Sequence, residues 1–251
     1  MSRPTVLITG AGAGVGRGIA LSFGEARWNV AVTAHHGETG RAVADEILGM
    51  GGSAMWTETD VTNLDALESA FNRTAAQCGG IEAVIHNAIS NRSNEPVDLE
   101  TASLELWEEH AAVSIRALYD IARLAHPYLE AARGSLLTLQ SPAGIHGSER
   151  LSFYAMAKGF QRGFVKSLAR EWGPAGIRVN GLAPLAMTAA LEQAMRNDPT
   201  MHDRLTAVIP AGRFGDPHDD IGPPAVWLCS EGARYVTGQT LIVSGGRFTA
   251  L

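Results

Sequence analysis

The apolar, β-branched run Thr5-Val-Leu-Ile-Thr9 passes directly into Gly10-Ala-Gly-Ala-Gly14-Val-Gly16 and then into the helix-like segment Ile19-Ala-Leu-Ser-Phe23. A buried strand, a glycine turn and a helix in that order leave few folds open. Glycines at Gly10, Gly12, Gly14 and Gly16 let the chain reverse tightly and let backbone N–H groups approach a pyrophosphate, with Val15 in the same turn. The first turn of the helix adds unpaired donors and a partial positive charge. The alternative is a flexible Gly/Ala turn without a ligand. The strand before the turn and the helix after it favour phosphate binding.

The remainder repeats this alternation. Strands are expected at 5–9, 29–33, 53–58, 83–86, 135–140, 178–182 and 239–243. Helices are expected near 15–26, 40–50, 64–77, 104–131, 152–172 and 218–230. Strands alternating with helices predict a single doubly wound parallel sheet of about seven strands, Rossmann-like, with helices on both faces. One domain over 1–251 accommodates this. A net charge of −6 offers no basic field for nucleic acid or an anionic membrane. No apolar run approaches the ~20 residues of a spanning helix. The first strand follows Met-Ser-Arg-Pro, so no signal peptide is expected. Cys78 and Cys229 build no disulfide framework, and the eight histidines form no metal motif. These features predict a cytoplasmic protein without a metal.

Tyr154 and Lys158 stand four apart in Ser152-Phe-Tyr-Ala-Met-Ala-Lys158, and Ser141 precedes the tyrosine by thirteen residues. On a helix, positions i and i+4 share a face, which makes the phenol and the ammonium neighbours. A free tyrosine titrates near ~10, and a neighbouring cation favours the phenolate. The three side chains thus predict an acid–base site in which Lys158 lowers the Tyr154 pKa and Ser141 orients a substrate oxygen.

Taken together, Thr9-Gly10-x-x-x-Gly14-x-Gly16, Asp60-Val61, Asn87-Ala88, Ser141, Tyr154-x-x-x-Lys158, Arg178-Val-Asn180 with Pro184, and Thr237–Gly246 resemble the short-chain dehydrogenase/reductase family, in particular its ketoreductase-like members. The resemblance spans nearly the whole chain. It implies hydride transfer between a nicotinamide cofactor and a secondary alcohol or ketone, with Tyr154 moving the proton. It places Asp60 and Val61 at the adenine, Asn87 and Ala88 beside the cofactor, and Tyr154 and Lys158 against the ribose. Pro184 and Thr188 fall near the nicotinamide.

Several positions depart from the family pattern. Ser114 stands where the family has an asparagine that holds a relay water, and its hydroxyl is expected to support that relay. His86 and Ile89 flank Asn87-Ala88 in place of asparagine and glycine; His86 reads as a buried histidine. Leu185 replaces a glycine, and Ser244 replaces an aspartate. The segment 185–210 is either a substrate lid, with Leu185, Met187, Leu191 and Met195 lining a pocket, or a packed surface helix. Pro142, Ala143, His146 and Ile89 are the other candidate substrate contacts. Arg92 either meets an acidic substrate or is an ordinary surface arginine.

Ala34 ends the second strand where relatives that prefer NAD carry aspartate, and His35 and His36 follow. The missing carboxylate favours NADP, with His35 as a phosphate contact and NAD as the alternative. Apolar positions along 152–172 and 104–131 predict a homo-oligomer, a tetramer with two perpendicular two-folds. A catalytically weak nucleotide-binding regulatory protein on the same fold is the competing function, and a lyase or epimerase a third. No residue pattern selects the substrate.

Overall fold

The computed structural model describes residues 3–198 and 200–249. Seven parallel strands form one sheet: β1 (Thr5–Thr9), β2 (Asn29–Ala34), β3 (Ser53–Glu58), β4 (Ala83–His86), β5 (Ser135–Leu139), β6 (Arg178–Pro184) and β7 (Thr240–Val243). Their order is β3-β2-β1-β4-β5-β6-β7. Every residue of β1, β4 and β5 is buried, as expected for strands covered on both faces. Edge strand β3 exposes Trp56 and Glu58.

Period-2 alternation divides the core. Val6, Ile8, Val30 and Val32 pack against Ile19 and Phe23 of α1 (Gly14–Glu25) and Val43 and Ile47 of α2 (Gly37–Gly49). On the opposite face, Leu7, Val84, Leu136 and Val179 belong to one cluster with Phe71 of α3 (Leu64–Cys78). Further along the chain lies α4 (Leu104–Ala111). Beyond it, Ile121 of α5 (Ala117–Ala132) joins this second layer. A one-residue register slip would exchange the side chains of the two layers.

Four local departures from the predicted elements matter. The helix expected over 104–131 is α4 and α5 joined by a π turn at Ala112–Arg116. The stretch between Ser141 and Tyr154 contains a short helix, α6 (Ala143–His146), before α7 (Ser152–Trp172). Two helices, α8 (Ala189–Asn197) and α9 (Met201–Thr206), follow β6. The last predicted helix opens as a π turn at Pro217–Ile221 and continues as α10 (Gly222–Cys229). Among the described residues no helix is long and apolar enough to cross a membrane.

Candidate active site

The strand order reverses between β1 and β4, and the C-terminal ends of these strands face the crevice that such a reversal opens. Thr9 ties the two ends together. Its Oγ1 accepts the N–H groups of Asn87 at 3.2 Å and Ala88 at 3.3 Å. Asn87 Nδ2 donates to the Gly10 carbonyl at 2.8 Å. Gly10 has φ of +65°, and a Cβ there would lie 2.8 Å from Ala88 Cα. At Gly16 a Cβ would stand 2.4 Å from Asn87 Nδ2. Both positions therefore need glycine for the two strand ends to meet.

α1 begins behind Ala13, which makes no side-chain cap, and its first turn carries no acidic residue. Its leading N–H groups are thus left for an anion. Open space surrounds the Cα of Gly14. A cleft of about 410 Å³ runs from Gly14 and Arg17 to Met187 and Thr188. Thr188 Oγ1 accepts the Leu191 amide at 3.3 Å at the start of α8. Pro184 ends β6 beside β7.

At the other strand-end cluster, α7 presents Tyr154 and Lys158 one turn apart. α6 docks on it so closely that a Cβ at Gly144 would lie 2.5 Å from the Lys158 carbonyl carbon. This carries the end of β5 and Ser141 to the tyrosine. The Ser141 Oγ accepts the Ala143 amide at 3.2 Å, and the Ser141 side chain favours the charged form of the Tyr154 phenol. Lys158 is 5% exposed, and its Nζ sits 5.7 Å from the Tyr154 ring centroid. The ammonium donates to the Leu139 carbonyl at 2.5 Å and to Gln161 Oε1 at 3.2 Å. Burial pulls the Lys158 pKa down to about 7.

The phenol departs from the sequence expectation. Burial pushes Tyr154 above the ordinary tyrosine value, and the Ser141 side chain offsets only part of this. The ammonium gives two of its three donors to Leu139 and Gln161. The resting site holds a protonated tyrosine.

A family model described as enoyl-(acyl carrier protein) reductase matches residues 10–247. A 12alpha-hydroxysteroid dehydrogenase from a Clostridium species is 32% identical over 247 residues, covering 96% of this chain and 95% of its own. The chain belongs to the short-chain dehydrogenase/reductase family. A 2,5-dichloro-2,5-cyclohexadiene-1,4-diol dehydrogenase from Sphingobium indicum is 32% identical, covering 100% of this chain and 99% of its own. Among solved structures, a 7 alpha-hydroxysteroid dehydrogenase complexed with NADH and 7-oxo glycochenodeoxycholic acid aligns with a TM-score of 0.90 at 30% identity, covering 98% of this chain and 94% of that one.

This short-chain dehydrogenase/reductase is thus an NAD(P)-dependent oxidoreductase. Its residues fit a dinucleotide. The uncapped α1 suits a pyrophosphate, and among the described residues no carboxylate forms an ion pair with the buried Lys158 ammonium. Ala34 is buried, and its Cβ lies 3.1 Å from where a Gly12 Cβ would be, so side chain 34 abuts the glycine turn. His35 and His36 are exposed, with ring centroids 4.8 Å apart. Asp60 Oδ1 accepts the amide and hydroxyl of Thr62 at 2.9 and 2.8 Å. Burial pushes the Asp60 pKa up, but those hydrogen bonds and nearby His35 bring it below the usual value. Val61 beside it is buried.

The other sequence-selected positions sort by exposure. Pro142 is buried, Ile89 and Ala143 are half-buried, and His146 is exposed at the end of α6. Leu185 uses its backbone in the β7 and Gly215 contacts, and Met187 lines the cleft. Arg92 pairs with Glu95 at 3.0 Å and with Glu109 at 3.6 Å, which occupies its charge. Ser244 closes the turn to Phe248 by two hydrogen bonds. His86 is fully buried, with Nδ1 3.1 Å from Thr9 Oγ1. Ser114 is also fully buried, and its hydroxyl meets no partner among the described residues. Its carbonyl instead accepts Gln161 Nε2 at 3.4 Å. Gln161 was not singled out from the sequence. Its one signal is a polar residue on the apolar face of α7, three positions after Lys158.

Proposed function

We propose that the protein interconverts a secondary alcohol and a ketone in the cytoplasm, with Tyr154 as the acid–base group. The observation that carries this reading is the convergence of Ser141, Tyr154 and buried Lys158 beside the end of β5. In ketone reduction the protonated Tyr154 gives its proton to the carbonyl oxygen while Ser141 donates a hydrogen bond to the same oxygen. Lys158 then stabilises the phenolate that forms. In alcohol oxidation the proton returns along the same path. A bound nicotinamide supplies or accepts the hydride.

The glycine turn Gly10–Gly16 and the start of α1 would hold the pyrophosphate. Asp60 and Val61 would flank the adenine, Asn87 and Ala88 the middle of the cofactor, and Pro184 and Thr188 the nicotinamide amide. NADP is the preferred form on this reading, because Ala34 brings no carboxylate to repel a 2′-phosphate and exposed His35 stands next to it. Residues 1–251 act as one domain, with a lid near 185–210 that folds over the substrate.

The relatives named above act, by their names, on ring alcohols, and we take an alicyclic secondary alcohol or ketone as the substrate class. The working form is a homotetramer. Half-buried Phe160 and Phe164 of α7 stack at 5.3 Å beside Ile115 and Tyr119 in an apolar face, with Phe164 also packed against the chain's own core. Leu168 and Trp172, also expected on this face, pack inside the chain's own core. A panel of alicyclic and linear alcohols and ketones with NADP(H) and NAD(H), followed at the reduced-nicotinamide band, tests the activity. Turnover of no secondary alcohol or ketone would refute it.

A further inference from the structure

In its protonated form Lys158 is an ammonium ion in a site where, among the described residues, no carboxylate pairs with it. An ammonium has three donors and no acceptor. One proton goes to the Leu139 carbonyl and a second to Gln161 Oε1 at 3.2 Å. The third remains for the side on which Tyr154 lies. Gln161 is itself 1% exposed, and its other end donates to the Ser114 carbonyl at 3.4 Å. Ser114 belongs to the π turn between α4 and α5, a distortion that shifts the backbone ladder by one residue and often marks a functional site.

Glutamine suits both contacts. Its carbonyl accepts from the ammonium while its N–H donates to a backbone carbonyl; a leucine would do neither, and a glutamate would add a charge and lose the donor. The Ser114 hydroxyl makes no such contact.

We propose that Gln161 is a positioning residue of this site: its carboxamide holds the Lys158 ammonium and couples it to the backbone of the π turn. This rests on the acid–base reading for its consequence in turnover, but not for its consequence in binding. Holding the ammonium by an acceptor favours the charged form, so removing the acceptor weakens it and a carboxylate in its place strengthens it. The groups that face Lys158 are His86 from β4 and Tyr154 from its own helix. Burial and the Lys158 charge hold the His86 pKa at about 3, and burial raises Tyr154, so neither titrates near neutrality.

The test measures affinity for NADPH and NADH by fluorescence across pH 6 to ~10 for the parent, Gln161→Leu and Gln161→Glu, with circular dichroism to verify folding. Affinity should fall as Lys158 loses its proton. The midpoint should move to lower pH by more than about half a unit in Gln161→Leu and to higher pH in Gln161→Glu. A packing role would not move the two variants in opposite directions. A parent without a midpoint, or midpoints that stay put or move together, overturns the proposal. Turnover measured beside it should fall roughly tenfold in Gln161→Leu, with the KM for alcohol within about threefold. Tyr154→Phe separates the two readings. If that variant turns over like the parent, the acid–base assignment fails, while the binding midpoints still decide Gln161.

Discussion

The Oγ1 of Thr9 lies 3.1 Å from Nδ1 of His86, joining the ends of β1 and β4 beneath the glycine turn. The other ring nitrogen is buried without a partner among the described residues. Burial first, and the nearby Lys158 charge second, pull the His86 pKa from 6.5 to about 3. Between those values the unfolded chain binds more protons than the folded one, so stability falls as pH drops from 6.5 towards 3. His86→Asn should remove much of that loss, on the order of a few kcal/mol at the acid end. Urea midpoints at pH 6.5 and pH ~4 check it: the gap should shrink in the variant, and an unchanged gap would clear His86 of the effect.

Tyr154→Phe should bind the reduced cofactor with near-parental affinity yet lose at least ~10²-fold in kcat, the usual scale for a positioned proton donor. Lys158→Met should lose kcat and weaken cofactor binding together, because one ammonium serves both. Steady-state kinetics with a fluorescence binding titration separate the two patterns.

Ser114→Ala leaves the backbone carbonyl that Gln161 uses. Its kcat should therefore drop less than that of Gln161→Leu. A larger drop in Ser114→Ala would point to the hydroxyl as the relay group.

Cofactor choice should respond at the end of β2. Ala34→Asp sets a carboxylate against the glycine turn and should shift kcat/KM towards NAD; His35→Arg should shift it towards NADP through a bidentate phosphate contact. We expect roughly tenfold in each direction, read as the NADP/NAD ratio of kcat/KM. Ratios that stay at the parental value in both variants would mean that the ribose lies elsewhere.

Light scattering at micromolar concentration should give the mass of four chains. Phe164→Asp, placed on the half-buried apolar face of α7, should lower that mass to two chains or one. A single-chain mass for the parent would show that Phe160 and Phe164 cover only their own molecule.

Much of this molecule was readable along the chain because its information is local. The unbroken apolar run Val6-Leu7-Ile8 names a strand buried on both faces, and the strand, glycine turn and helix around Gly10–Gly16 name the phosphate end. All seven strands lie where the apolar runs predicted, to within a residue or two at their ends. The i,i+4 spacing of Tyr154 and Lys158 likewise needs only a helix.

What remained hidden depends on contacts between distant segments. Burial raises the Tyr154 pKa above the ordinary tyrosine value, and no spacing rule reports burial. The role of Gln161 exists only because a π turn brings the Ser114 carbonyl across from α7, 47 residues away in the chain. Arg92 has its partners in Glu95 and Glu109, the second of which only the fold brings near. Periodicity and turn chemistry act over a few residues and so are written into the sequence, whereas desolvation and side-chain pairing depend on what the fold packs around each group.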